Sequence, residues 1–324
     1  MSWKSHVWKK LPFLILPILL SVSVSSLSLI PGGNTVGMKA YTDGMVVTAV
    51  EAGSPAAAVG LRQGDVILSV DGAPADSPER LLERLESGRP LELTWRRGET
   101  TVRASVTPRL AEGQYRLGAA VRGSVAGIGT VTFYDPATGT YGALGHGISD
   151  PGGTSLLPVT GGLVIPSTVT GVQRGAGSAA GQLQGEFEAD RTIGTICYNT
   201  EAGVFGAMEP PDWPEMEVAE PDVVRLGPAT ILTNVDGREV REYDVQILKK
   251  YEGSGRNLLL RVTDPSLLAA TGGIVQGMSG SPILQDGKLV GAVTHVLVNA
   301  QDMGYGVFVK TMLEAENSAA ELAA

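Results

Sequence analysis

Ser279 stands in the run Gly277-Met278-Ser279-Gly280-Ser281-Pro282. A serine hydroxyl is a weak nucleophile at neutral pH. It needs a base to take its proton and N–H donors to hold the oxyanion that develops on an attacked carbonyl. The glycines on either side carry no side chain that would block approach to it. The chain has three histidines from which a base could come. His6 precedes the apolar N-terminal run and is expected on the wrong side of a membrane. His146 lies in Tyr141–Asp150, "YGALGHGISD", just after the turn "DPATG". A strand end followed by glycine commonly presents a functional side chain, and imidazole can act as a base near neutrality. His295 follows Ser279 by 16 residues at the end of a strand and reads as a substrate-contacting or packing group. The carboxylates available to orient an imidazole are Asp150, Asp190, Asp244 and Asp264. Asp264 closes the apolar stretch "NLLLRV", 15 residues before Ser279, where a carboxylate could hold the imidazole tautomer. With Pro265 after it, the same residue also reads as a simple Asp-Pro turn.

The serine run resembles the Gly-Asp-Ser-Gly-Gly-Pro of trypsin-like proteases. That resemblance implies an oxyanion hole made by the N–H groups of Gly277 and Ser279. The segment after it, "ILQDGKLVGAVTH", reads as a hairpin turning at Asp286-Gly287, a rigid support for the serine loop. The nucleophile elbow of α/β-hydrolases is excluded. It needs G-x-S-x-G on a strand-to-helix turn, whereas Ser281 occupies the last position here and no helix follows.

Such side chains must be positioned by a framework, and the framework reads as mainly β. From Gly118 onward, short apolar stretches alternate with Gly, Asp and Pro turns, and helical periodicity is nearly absent until Thr311–Ala324. Strands at roughly 8–12 residue spacing indicate a sandwich or barrel. Residues 118–324 are of the size of two small barrels. The acidic, proline-rich stretch 209–222 reads as a solvated loop.

Residues 34–107 form a separate unit. "SPAAAVG" is a short helix with Ser54 at the cap, Pro55 in the first turn and Gly60 as the stop. "SPERLLERLES" is a second helix, with Leu81, Leu82 and Leu85 on one face. "LELTWRRGETTVRASV" is a hairpin about Arg97-Gly98. The run "SPAAAVGLRQGDVILSVDG" resembles a bacterial PDZ domain. The resemblance implies capture of a peptide as an added strand. Its groove is expected at Thr35, Val36, Gly37 and Met38, and residues 108–117 read as a linker.

The N-terminus places Lys4, Lys9 and Lys10 before the uncharged run Leu11–Ile30. About twenty apolar residues suffice to span a bilayer, so residues 1–33 are expected to be a basic flank followed by a membrane anchor or signal segment. The lysines would stay in the cytoplasm and the remainder would be exported. The chain is 324 residues long with a net charge of −9, which excludes a nucleic-acid footprint. Charged residues are 18% against 43% apolar, which excludes a charge-rich disordered protein. A single cysteine, Cys197, permits no intrachain disulfide, and with the scattered histidines it supplies no metal-ligand set; no cofactor is expected.

The stretches Gly127–Tyr134, Tyr141–Asp150, part of Ile193–Gly206, Thr263–Ile283 and Lys288–Asn299 closely resemble the stage IV sporulation protein B peptidases of endospore-forming bacteria. That resemblance implies a serine endopeptidase delivered to the space between forespore and mother-cell membranes. It implies self-processing and cleavage of a membrane-bound regulator of an intramembrane protease, leading to sigma-factor activation. It assigns the nucleophile to Ser279, the base to His146 and the aspartate to Asp264, with the PDZ unit regulating cleavage by binding a peptide or the chain's own N-terminal segment. The alternative is a non-catalytic PDZ scaffold of an envelope signalling complex.

Overall fold

The computed structural model describes residues 26–150, 155–176, 179–253 and 255–323. The expected anchor lies almost wholly outside them, and among the described residues no helix is long and apolar enough to cross a membrane.

The chain enters the fold through β1 (Ser28–Pro31) and β2 (Thr35–Val50). β2 is two strands in one. Its first half, through Tyr41, pairs inside the peptidase unit, and its second half, from Met45, pairs inside the PDZ unit. Gly44 sits at the junction with φ +112, and a Cβ there would lie 2.3 Å from the Ile67 carbonyl oxygen. Only glycine fits such a close, left-handed crossing. Residues 28–41 therefore belong to the peptidase fold. The apolar run that reads as a membrane segment up to Ile30 ends in a strand instead, with Leu29 and Ile30 buried.

The PDZ unit continues with α1 (Pro55–Ala58), β3 (Val66–Val70), β4 (Ala73–Pro74), α2 (Pro78–Leu85), β5 (Leu91–Arg97) and β6 (Thr100–Val106). Both helices start as their sequences dictate. The Ser54 hydroxyl accepts from Ala57 N–H at 3.1 Å, and the Ser77 hydroxyl accepts from Arg80 N–H at 3.3 Å. Leu81 and Leu85 turn inward onto Met45, Ile67, Leu93 and Trp95, while Leu82 stays exposed. Each such buried leucine contributes about 2 kcal/mol. The buried Asp65 is held by a two-pronged ion pair to Arg97 and by Arg62 N–H, so its charge is matched.

The expected linker is a small hairpin, β7 (Arg109–Ala111) and β8 (Gln114–Arg116), and Leu117 after it is buried in the PDZ core. β9 (Ala119–Asp135) then retraces β2 in the opposite direction, pairing from Val50↔Ala119 to Thr35↔Thr130. The PDZ unit is thus inserted into the first β-hairpin of the peptidase, at the end of a two-stranded ribbon.

β9 leads to β10 (Thr140–Ala143), β11 (Val159–Gln173), β12 (Gln182–Phe187), β13 (Gly194–Ile196), β14 (Tyr198–Thr200), β15 (Gly203–Ala207) and β16 (Met216–Glu217). These make a curled, open sheet, not a closed barrel. The stretch expected to be a solvated loop is partly fixed, because β16 pairs with β1 and Val218 and Ala219 are buried. The second half is a closed six-stranded barrel, in the order β17 (Gly227–Thr233), β18 (Arg241–Lys250), β19 (Leu258–Val262), then β22, β21 and β20. α3 (Pro265–Thr271) follows β19; then come β20 (Pro282–Gln285), β21 (Lys288–Leu297), β22 (Ala300–Phe308) and α4 (Val309–Ala323). Phe133 and Phe205 of the open sheet pack with Leu289, Ala292, Val307 and Met312 of the second half. That shared apolar layer fixes the two halves against each other and defines the cleft between them.

Candidate active site

Each half contributes one of the two candidate side chains to the cleft. β10 ends at Ala143, and the chain turns through Leu144 (φ +69) and Gly145 (φ +66) to reach His146. Gly145 is packed against Thr294, Ala292 and Val307, where a Cβ would come within 2.9–3.1 Å of their side chains. The turn is therefore wedged against the closed barrel, and His146 emerges at the seam. Its Nδ1 is hydrogen-bonded to the Gly147 carbonyl at 2.9 Å. A carbonyl only accepts, so Nδ1 carries the proton and Nε2 is left as the basic nitrogen. Burial lowers the His146 pKa below its ordinary 6.5, and the Gly147 carbonyl offsets part of that shift.

Ser279 lies on the loop between α3 and β20. The Asp286-Gly287 turn, with φ values of +53 and +74, joins β20 and β21 into the hairpin read from the sequence. The Ser279 loop is fastened to the other half by Thr130 of β9. Thr130 N–H donates to the Ser279 carbonyl at 2.9 Å, and its hydroxyl donates to the Gly277 carbonyl at 2.8 Å. Gly280 N–H donates to the Val293 carbonyl at 2.7 Å. The N–H groups of Gly277 and Ser279 donate to no acceptor among the described residues. The half-buried Ser279 hydroxyl donates to the Thr294 carbonyl at 2.5 Å.

His146 and Ser279 line one cavity of about 640 Å³. Its lining includes Val125–Ile128 of β9, Thr294–Val296 of β21 and Gly277. His295 is also there. Its ring centroid is 4.6 Å from that of His146, with the planes tilted by 38°. Burial, then the neighbouring His146 and Arg256, push the His295 pKa down to about 4. It is a neutral ring near pH 7.

Two expectations come out differently. Asp264 does not line this cavity. It is the N-cap of α3, accepting from the Ser266 hydroxyl at 2.5 Å and from the N–H groups of Ser266 and Leu267 at 2.8 and 3.0 Å. Those donors, the Ser266 hydroxyl first, hold its carboxyl below the usual range. Among the described residues no carboxylate is bonded to His146; the Gly147 carbonyl does the orienting. The second correction concerns Thr35, Val36, Gly37 and Met38. They are buried and cannot receive a peptide, because β2 is paired there with β9 on one edge and β11 on the other. Thr35 N–H is also taken, by the Asn234 side chain at 2.7 Å. Sequence reasoning missed Thr130, which holds the serine loop by its N–H and its hydroxyl, and Thr294, which acts through its carbonyl; neither carries a motif of its own.

A closed barrel joined to an open β-sheet, with a serine loop and an imidazole facing each other across the seam and a PDZ unit inserted, defines a PDZ-containing serine endopeptidase. The chain belongs to the SpoIVB peptidase family: the model of the SpoIVB peptidase S55 family matches residues 113–313, and a PDZ domain model matches residues 46–97. No curated protein sequence matches the chain. Among solved structures, similarity is found to the PDZ domain of the SdrC-like protein of Listeria monocytogenes, at 24% identity, 24% of this chain, 87% of that one and a TM-score of 0.23. The Rv3671c protease of M. tuberculosis in its active form is similar at 13% identity over 60% of this chain and 74% of that one, with a TM-score of 0.37. The HtrA-type protease AlgW with a decapeptide is similar at 12% identity over 65% and 55%, with a TM-score of 0.36.

Proposed function

We propose that Ser279 is the nucleophile of the endopeptidase, His146 its general base, and the N–H groups of Gly277 and Ser279 its oxyanion hole. What carries this reading is that His146 and Ser279 face one cavity from opposite halves of the fold, with two uncommitted amides beside the hydroxyl. On substrate binding the Ser279 hydroxyl leaves the Thr294 carbonyl and passes its proton to Nε2 of His146. Its oxygen bonds to the scissile carbonyl carbon, whose oxygen takes the negative charge and settles on the two amides. His146 then returns the proton to the departing amine, leaving an acyl-enzyme that water hydrolyses with the same base.

The substrate in this reading is an extracytoplasmic, membrane-bound regulator of an intramembrane protease. Its cleavage during sporulation, in the forespore intermembrane space, would lead to activation of a sigma factor. The enzyme would also process its own N-terminal region and be held at, or released from, the membrane by its leading segment. The PDZ unit would time cleavage by gripping a peptide. Ser279→Ala is expected to leave the chain at full length on a denaturing gel where the native protein is shortened. It is also expected to leave a co-expressed membrane regulator uncut. Equal processing by the variant would reject Ser279 as the nucleophile.

A further inference from the structure

The cavity that holds His146 and Ser279 is lined mostly by apolar residues, and the open sheet supplies no Asp, Glu, Lys or Arg to it. Near pH 7 both imidazoles in it are uncharged, with the His146 pKa held below 6.5 and that of His295 at about 4. Among the described lining residues that leaves one charge, the guanidinium of Arg256. Arg256 belongs to the closed barrel. It stands in the connection from β18 to β19, one residue before Asn257. Asn257 is 3% exposed and fixes that connection. Its N–H donates to the Gly306 carbonyl at 2.8 Å, and its own carbonyl accepts from Tyr251 N–H at 2.7 Å. Its side-chain oxygen accepts from Phe308 N–H at 3.1 Å. The Arg256 guanidinium then lies over the Tyr305 ring of β22, 5.2 Å from its centroid. A planar cation resting on an aromatic face is held in place while its N–H groups stay free for a partner. Among the described residues no carboxylate is ion-paired with it, Glu252 of the same connection included. Arg256 is also near enough to His295 to oppose its protonation, after burial and His146. That places it beside the stretch of β21 whose Thr294 carbonyl accepts the Ser279 hydroxyl.

We propose that Arg256 is a specificity-determining residue: the substrate segment in the cleft carries an aspartate or glutamate side chain close to the scissile bond, bound by the Arg256 guanidinium among otherwise apolar neighbours. A carboxylate matches the guanidinium fork with two parallel N–H···O bonds, and such charge-assisted pairs are about twice as strong as neutral ones. No acidic group in the lining competes for the cation. A lysine at the same place would meet a like charge in an apolar cleft, which is costly. The chain's net charge of −9 would repel an acidic peptide at long range. At physiological salt, however, exposed charges more than about 8 Å apart are largely screened, so the cation inside the cleft decides. The apolar lining, with Val125, Ile128, Ile274 and Val296 among its members, takes up the residues on either side of the acidic one. This inference rests on Ser279 being the nucleophile.

The test offers the full chain a mixed-sequence peptide library, with cut positions read by mass spectrometry. Matched peptides with Glu, Gln or Lys at the enriched position are then compared. Cut sites are expected to share an Asp or Glu at one fixed position near the bond. Replacing that Glu by Gln should lower kcat/KM about tenfold or more, and less so in about 1 M salt. Arg256→Gln should level the three peptides. Arg256→Glu should reverse their order, so that the Lys peptide is cut faster than the Glu peptide, a gain that damage to the fold cannot produce. Equal cutting of the Glu and Gln peptides by the native chain, or an unchanged Glu preference in Arg256→Glu, would overturn the assignment. If the native chain neither cuts nor takes a fluorophosphonate on Ser279, the nucleophile reading fails instead. In that case, or if the Arg256 variants do not cut, the residue is judged by fluorescence anisotropy on Ser279→Ala. Binding of the Glu peptide about tenfold tighter than the Gln peptide sustains the proposal, and equal binding removes it.

Discussion

The Ser279 hydroxyl donates to the Thr294 carbonyl at 2.5 Å, on the strand that carries His295, and not to the imidazole of His146 across the cavity. A hydroxyl held on a carbonyl is less nucleophilic than one held on a base, so the resting arrangement is incompletely assembled. Attack requires rotation of Ser279 away from Thr294, which a substrate entering the cleft can supply. Fluorophosphonate labelling of the free enzyme is therefore expected to be slow and to quicken when a peptide substrate is present. His146→Ala should lower turnover by about 10³-fold or more, leaving binding and oxyanion contributions. Full turnover without His146 would end its assignment as base.

The pH profile follows from the same imidazole. Burial lowers the His146 pKa below 6.5, and as the proposed general base the ring must be neutral to act. Activity is therefore expected to persist into mildly acidic solution and to fall as pH drops through a midpoint below 6.5. A measured kcat/KM limb at or above that value would contradict the burial. Stability has its own signature in His295, whose pKa falls from 6.5 to about 4 on folding. Its contribution is full above about 6.5, where both folded and unfolded forms are neutral, and is lost as pH falls toward 4. Urea unfolding of His295→Gln should weaken less across that window than unfolding of the native protein.

The serine loop, its Asp-Gly hairpin, both PDZ helices and the mainly β character were legible in the sequence because each rests on local signals. Glycine next to serine, Ser-Pro at a helix start and Asp-Gly between apolar runs act within a few residues. The insertion of the PDZ unit was not legible. It depends on β2 and β9 pairing across the whole inserted unit, and nothing in "NTVGMKAYTDGMVV" says that both its edges are filled from afar. Where the apolar run up to Ile30 gives way to a strand was not legible for a similar reason: a strand buried in a sheet and the end of an apolar membrane segment have the same composition. Asp264 is a different case. Asp-Pro-Ser before "LLAAT" and Gly272 is a complete set of helix start and stop signals, and these outweigh its position at a strand end.

Asp264 thereby yields a sharp contrast. As a cap, its loss in Asp264→Ala should cost about 1 kcal/mol and lower the melting temperature, while Asp264→Asn, an equally good cap, should keep most of that stability. A cap has no need of charge, so kcat of the Asn variant is expected within about tenfold of the native value. A loss near 10⁴-fold in Asp264→Asn, with stability intact, would instead show that the carboxylate swings to His146 during turnover.

Gly280 gives the most stringent test of how the proposed nucleophile is placed. Read from the sequence, the glycines beside Ser279 serve to leave the hydroxyl open. Their packing gives a stronger reason. Gly280 has φ +99, and a Cβ on it would lie 1.9 Å from the Thr130 carbonyl oxygen and 2.6 Å from Leu144 N. Both contacts are rigid backbone: Thr130 belongs to β9, and Leu144 N–H donates to that same carbonyl at 3.2 Å. Any side chain at 280 must push the serine loop away from the strand that positions it and from the turn that delivers His146. Gly280→Ala is expected to remove most of the activity and to lower the melting temperature. Thr130→Val breaks only the clamp on the Gly277 carbonyl, so it should cost about 1–3 kcal/mol and leave a folded enzyme with reduced kcat and little change in KM. Should Gly280→Ala fold and cleave like the native chain, the loop is held by something other than its close packing on β9.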